Sequence, residues 1–166
     1  EIILGDGAVT RAFPIPGLAE VAIGMKTVEE AVSVRNWVLE RIEVASVLDD
    51  PDARRRALTV VVVGGGFAGV ETISELEDMA REAVNRNDRL SVSDLRFVMI
   101  EAAPRIMPEV PEDRAEKVVA ELRARGIEVL LNTSLSDATD GHLQLINMTD
   151  KSPAGEMDTD TLIWTA

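Results

Sequence analysis

Thr59-Val60-Val61-Val62-Val63 is an unbroken run of β-branched residues that stops at Gly64-Gly65-Gly66. A run with no polar alternation predicts a strand buried on both faces, as in a parallel sheet. Past the glycines the apolar spacing becomes helical, at Ala68, Val70, Ile73, Leu76, Ala80 and Ala83, which predicts a helix from Phe67 to about Val84. A polar stretch from Asn85 to Ser93 comes next, and Leu95 to Ile100 forms the second strand, ending at Glu101. Pro111 suits the first turn of another helix, with Glu112 and Asp113 at its positive end. Ala115, Val118, Val119 and Leu122 are its apolar stripe, and Gly126 its C-terminal cap. Ile127 to Leu131 reads as a third strand. The order strand-helix-strand-helix-strand predicts an α/β fold with a Rossmann-like, right-handed, doubly wound parallel sheet.

The period then drops to two. Leu135, an Asp140-Gly141 turn, then Leu143, Leu145 and Met148 predict a small antiparallel β-meander. Ser152-Pro153-Ala154-Gly155 reads as another turn and Thr161 to Trp164 as the last strand. On the N-terminal side, residues 1–5 read as a short strand, and Pro14, Pro16 and Gly17 as a loop. Thr27 with Glu30 forms a capping box. The helix it opens carries Val28, Ala31, Val32, Val38 and Ile42, runs to about Val47, and is broken by Asp49-Asp50-Pro51. Arg54-Arg55-Arg56 reads as a solvated approach to the main strand.

Gly64, Gly66 and Gly69 stand in G-x-G-x-x-G register, between a strand and an amphipathic helix. Each has a separate duty. The first permits the sharp turn, the second lets backbone approach a pyrophosphate, and the third lets helix and strand pack closely. The helix start offers unpaired N–H groups and a positive dipole end to phosphates. Glu101, at the end of the second strand, can accept hydrogen bonds from both adenosine ribose hydroxyls and repels a 2′-phosphate, which predicts NADH over NADPH. It lies 32 residues after Gly69, against the usual spacing of about 20. The polar insert absorbs the difference, since surface loop is cheap to lengthen. Glu71, in the first turn of the helix, either compensates the dipole or faces the nicotinamide, and spacing alone favours the dipole role.

Composition narrows the partners. The 166 residues carry a net charge of −13, which argues against nucleic acid or an anionic membrane on the bulk surface. Backbone N–H groups can still hold one nucleotide. The apolar share of 46% supports a real core, and with no cysteine there is neither a disulfide nor a thiolate metal site. No metal-ligand cluster is visible. His142, the one histidine, comes after a turn and reads as exposed and inert. Trp37 reads as packing, and Trp164 as packing or ligand contact. The apolar, strand-like ends suggest a piece of a longer protein.

The stretch Val62 to Glu71 resembles the NADH fingerprint of type II NADH dehydrogenases, members of the pyridine nucleotide-disulfide oxidoreductase, or two-dinucleotide flavoprotein, superfamily. Glu101 to Pro108 resembles the stretch after that family's second strand, and Thr161 to Ala166 the start of its return to the flavin domain. Glu1 to Arg11, with Gly5, Gly7 and Ala8, resembles the end of its first FAD segment. The resemblance implies four parts. Residues 1–24 are a remnant of the FAD segment and crossover, 25–57 a linking helix and loop, 58–162 the NADH-binding domain, and 163–166 the return. It implies that Gly64, Gly65, Gly66, Phe67, Ala68 and Gly69 hold the pyrophosphate turn and Glu101 the ribose. Thr165 and Ala166 approach the nicotinamide, and Glu71 becomes the catalytic candidate. Hydride would pass from NADH to FAD, and electrons on to a quinone. The parent would lie peripherally on the cytoplasmic face of a membrane through a C-terminal region outside this chain, and a homodimer stays open. The fragment alone should carry no stable FAD. A soluble FAD-dependent ferredoxin or disulfide reductase, or a non-catalytic NADH-sensing module, are the alternatives.

Overall fold

The structure is a computed structural model that describes residues 14–166. The expected strand at residues 1–5 and the Gly5, Gly7 and Ala8 segment lie outside the described residues. In chain order the elements are α1 (Leu18–Val21), β1 (Ala22–Gly24), α2 (Val28–Val47), α3 (Pro51–Ala57), β2 (Thr59–Val63), α4 (Phe67–Asn85), β3 (Arg96–Ile100), α5 (Glu112–Ala124), β4 (Glu128–Leu130), β5 (Thr133–Asp137), β6 (His142–Asn147), β7 (Pro153–Asp158) and β8 (Thr161–Trp164).

Five strands form a parallel sheet in the order β1-β8-β2-β3-β4, and three form an antiparallel sheet in the order β5-β6-β7. The fold class is the expected one: a Rossmann-like parallel sheet with an antiparallel meander. β2 is the origin of the winding. The chain steps outward from it to β3 and β4, then returns to β8 on its other side.

Strand alternation divides the core. Val60, Val62, Phe97, Met99, Val129 and Ile163 pack against α2, α4 and α5. Val61, Val63, Val98, Ile100, Leu162 and Trp164 pack against Leu135, Leu143, Leu145 and Met157 of the meander. The meander therefore covers the face that the helices leave open, which is why all five residues of β2 are buried.

Four local expectations differ from the structure. β1 carries no strand signal in the sequence; its three residues are too short to show a period, and pairing with β8 defines it. On α2 the buried stripe is Val34, Val38, Ile42 and Ala45, while Val28 and Val32 stay exposed. At about 100° per residue the two valines sit well round the helix from that stripe; the Thr27–Glu30 capping box is present as expected. The expected turn at 152–155 lies earlier. Asn147 accepts from Thr149 N–H at 2.7 Å and Asp150 from Ser152 N–H at 3.0 Å. These Asx turns let β7 begin at Pro153, on an edge strand where proline removes no needed donor. Finally, the arginine triplet sits on α3, N-capped by Asp50. Arg56 pairs with Asp160 at 2.6 Å and Arg54 donates to the Leu48 carbonyl at 2.6 Å, so part of the cluster ties α3 to the core.

Glu77 is buried on α4 with both oxygens engaged. Arg81 donates to Oε1, and Arg125 donates to Oε2 through Nη2 at 2.6 Å and Nε at 3.1 Å. Removing one partner of a buried pair leaves charge uncompensated. Arg125→Ala is expected to cost about 2–4 kcal/mol, because Arg81 offsets only part of the loss; urea unfolding monitored by circular dichroism measures it.

His142 is half-exposed rather than free. Its Nδ1 lies 2.9 Å from Asp158 and its Nε2 3.6 Å from Glu156 across the β6–β7 ladder. The Asp158 hydrogen bond raises its pKa above the usual value. A raised folded-state pKa gives stability that is fully present below about 6.5 and fades as pH rises through the folded value. The melting-temperature gap between the parent and His142→Gln is therefore expected to be widest below that pH and to close as the pH rises beyond it.

Candidate functional site

Ligands of open α/β sheets bind beyond the carboxyl ends of the strands, where the winding reverses. Here that point lies between β2 and β8. Gly64 comes directly after β2 and Thr165 directly after β8, and the two touch. Thr165 N–H and Oγ1 both donate to the Val63 carbonyl, at 2.9 and 3.0 Å. Gly64 holds φ +113°, and a Cβ there would come 2.6 Å from Thr165 Oγ1, so glycine is required on both counts. Its N–H donates to the Ile100 carbonyl at 2.9 Å.

Gly69 is buried on α4 directly over this turn. A Cβ on it would overlap the Gly64 carbonyl oxygen and come 2.9 Å from Thr165 Oγ1. Helix and strand meet here through backbone alone. Gly66 is different in kind. Its φ of −73° and ψ of −176° suit any residue, and a Cβ on it would meet nothing within 4 Å. The fold gives no reason for glycine at this position.

Gly66 is the N-cap of α4 and brings no side chain to the first turn. Intrahelical bonding starts with Val70 N–H on the Gly66 carbonyl, at 3.0 Å. The N–H groups of Phe67, Ala68 and Gly69 thus have no intrahelical acceptor. Phe67 and Ala68 are exposed at the lip.

Glu101, half-buried at the end of β3, leans against the same turn. Its Oε2 accepts from Gly65 N–H at 2.6 Å and its Oε1 from Ala103 N–H at 2.7 Å. A carboxylate offers about four lone-pair sites, so acceptor capacity remains for a diol. The loop after Glu101 grips Gly65 from the other side, with Met107 N–H on the Gly65 carbonyl at 2.8 Å.

The structure thus brings Gly64, Gly65, Gly69, Glu101 and Thr165 into one contact group, with Gly66, Phe67 and Ala68 on its open lip. Glu71 stands apart. It is exposed, makes no hydrogen bond or ion pair among the described residues, and lines a cavity of about 450 Å³ with Met25, Val34, Ala68, Leu76 and Met79. The Ala166 carbonyl accepts from Trp164 Nε1 at 3.1 Å. Sequence reasoning misses Ala103, Ile106 and Met107, the residues that hold Glu101 and Gly65 in place. A methionine at positive φ leaves no sequence signal.

Residues 1–166 match the family profile described as pyridine nucleotide-disulphide oxidoreductase. The chain belongs to this family. Within the pyridine nucleotide-disulphide oxidoreductases, its relatives carry the names expected from the resemblance. The type II NADH:quinone oxidoreductase Ndh of Mycobacterium tuberculosis is 29% identical over 138 residues, covering 82% of this chain and 30% of that protein. The external alternative NADH-ubiquinone oxidoreductase of Yarrowia lipolytica is 29% identical over 168 residues, covering 98% of this chain and 28% of that protein. The chain therefore spans less than a third of the length of either relative. Among solved structures, NDH2 from Plasmodium falciparum in complex with NADH superposes with a TM-score of 0.90 at 24% identity, over 96% of this chain and 33% of that one. At that identity the likeness speaks to the fold.

The described part of this chain has no cluster of side chains fit to hold a metal ion. None of its described helices is long and apolar enough to cross a membrane.

Proposed function

We propose that this chain binds NADH at the β2–β8 switch point and presents its nicotinamide for hydride transfer within a larger NADH:quinone oxidoreductase. Gly66 carries the reading. Nothing in the fold needs a glycine there, and a Cβ would stand in open space at the N-cap of α4. A pyrophosphate in that space explains the glycine, and the three unpaired N–H groups fit its charge. The names of the relatives support the choice of NADH and of quinone.

In this reading Gly66, Phe67 and Ala68 hold the pyrophosphate by backbone N–H groups, and Gly64, Gly65 and Gly69 shape the turn beneath it. Glu101 takes the adenosine ribose. Thr165 and Ala166 flank the nicotinamide from β8. Glu71, one turn along α4 in the adjoining cavity that Ala68 also lines, is the candidate for holding a proton or orienting the ring. FAD would be held by segments outside this cleft, residues 1–24 with Gly5, Gly7 and Ala8 among them. FAD supplies the hydride acceptor when bound. The parent's place is the surface of a membrane that contains quinone, reached through segments other than those described.

The test is titration of the chain with NADH and NADPH, read by nicotinamide fluorescence. Saturable NADH binding at least about tenfold tighter than NADPH supports the reading, a gap of about 1.4 kcal/mol. No saturable binding of either would sink it.

A further inference from the structure

We infer that Met107 is a positioning residue for nucleotide selectivity: its left-handed backbone locks the glycine turn onto Glu101 and so aims the carboxylate at the ribose. The inference rests on the NADH reading and names what orients the selective group.

The Gly65 peptide is held at both ends by one loop. Its N–H donates to Glu101 Oε2 at 2.6 Å, and its carbonyl accepts from Met107 N–H at 2.8 Å. Between these bonds lies Ile106, fully buried, with Cγ2 2.7 Å from where a Gly65 Cβ would be. The loop can move only if Gly65 moves with it. Ala103 N–H fixes the second carboxylate oxygen at 2.7 Å, so the plane of the carboxylate is set before any ligand arrives. Both donors to the carboxylate are backbone N–H groups, so the selectivity of Glu101 depends on how the backbone of Gly65 and of residues 103–107 is placed.

Met107 is where that backbone is most demanding. Its φ is +48°, a region that unbranched residues enter reluctantly and β-branched ones hardly at all. Its side chain is 8% exposed and packs into the helical face of the core. The surroundings hold the conformation. Val110 N–H donates to the Met107 carbonyl at 3.1 Å, and Arg105 donates to the carbonyls of Val110 at 3.0 Å and Pro108 at 2.6 Å. Outliers kept this firmly next to a ligand turn point to a role at the ligand. The positive φ reverses the chain directly after the Met107 N–H, so this N–H stays on Gly65 while the Met107 carbonyl turns to Val110. With extended backbone the chain would run straight on, the Gly65 and Val110 bonds could not both be kept, and Gly65 would be loosened from Glu101.

The test compares Met107→Gly and Met107→Val with the parent. The readout is the ratio of NADPH to NADH dissociation constants, with circular dichroism to confirm folding. Glycine accepts the left-handed conformation without penalty, so its ratio is expected to stay within roughly twofold of the parent despite the lost side chain. Valine resists that conformation, and its ratio is expected to fall at least about fivefold. A merely structural role would lower the melting temperature of both variants and leave both ratios alone. A folded Met107→Val with the parental ratio overturns the inference. If Met107→Val does not fold, Met107→Ala replaces it. Alanine removes the same side chain as glycine but keeps a Cβ, so a lower ratio for alanine than for glycine supports the role, and equal ratios overturn it. A parent that binds both nucleotides equally removes the NADH-selective reading itself, a result distinct from a selective parent whose variants do not change.

Discussion

Gly66→Val is expected to leave the fold standing and weaken NADH binding at least about 100-fold. The backbone at Gly66 already has dihedrals that valine adopts freely, and its Cβ would touch nothing. The stability cost is confined to a poorer N-cap, about 0.5–1 kcal/mol. In the proposed site the isopropyl group fills the volume of the pyrophosphate. Two charge-assisted hydrogen bonds from the helix N-terminus would be lost, at about 1.5–3 kcal/mol each, for a drop in affinity of at least about 100-fold.

Gly69→Val supplies the contrast. Its Cβ would overlap the Gly64 carbonyl, so α4 must lift off β2. Overpacking costs about 1–3 kcal/mol in an ordinary core, and this site faces rigid backbone rather than a side chain. Gly69→Val is therefore expected to lose stability and binding together, and Gly66→Val binding alone. Thermal melts beside the NADH titration separate the two. A Gly66→Val protein that melts like the parent and binds NADH like the parent would leave the glycine unexplained and the site unsupported.

The same pair of glycines shows what the sequence could and could not disclose. The strand-turn-helix unit was legible because three local signals agree: a β-branched run, glycines at fixed offsets, and an apolar spacing of which Ile73, Leu76 and Ala80 form the buried face of α4. The position of Glu101 at the end of β3 came from the next strand. β1 was not legible, because Ala22–Gly24 becomes a strand only by pairing with β8, far along the chain. Val28 and Val32 misled in the same way: an apolar residue on a helix reports a buried face only when its angle matches the others. Least legible was the clasp on Gly65. It consists of Gly65 N–H on Glu101 Oε2 and Met107 N–H on the Gly65 carbonyl, with Ala103 N–H holding the other Glu101 oxygen, and its geometry depends on a positive φ that no residue type announces. Side-chain chemistry and the open helix start could be read from the letters; the backbone donors of the loop after Glu101 could not.

Glu101→Ala and Glu101→Gln are expected to separate the two duties of this carboxylate. In the folded chain it accepts from Gly65 N–H and Ala103 N–H. Alanine strands both donors, and Gly65 is buried, so a stability loss of about 1–3 kcal/mol is expected along with the loss of ribose contacts. Glutamine keeps one acceptor oxygen on a side chain of the same shape and removes the charge. Its stability should lie between parent and alanine. Its selectivity should not: a 2′-phosphate carries about −1.5 to −2 charges near neutral pH, and the repulsion that excludes NADPH needs a full negative charge opposite it. In Glu101→Gln the NADPH-to-NADH ratio is therefore expected to fall from at least about tenfold to near unity, mainly because NADPH binds better. Salt sharpens the distinction. Repulsion at a half-exposed site weakens as ionic strength rises, so the parent's ratio should shrink in molar salt while the glutamine variant's stays flat. If Glu101→Gln keeps the parental ratio, the selectivity comes from shape rather than charge, and the ribose assignment of Glu101 loses its electrostatic basis.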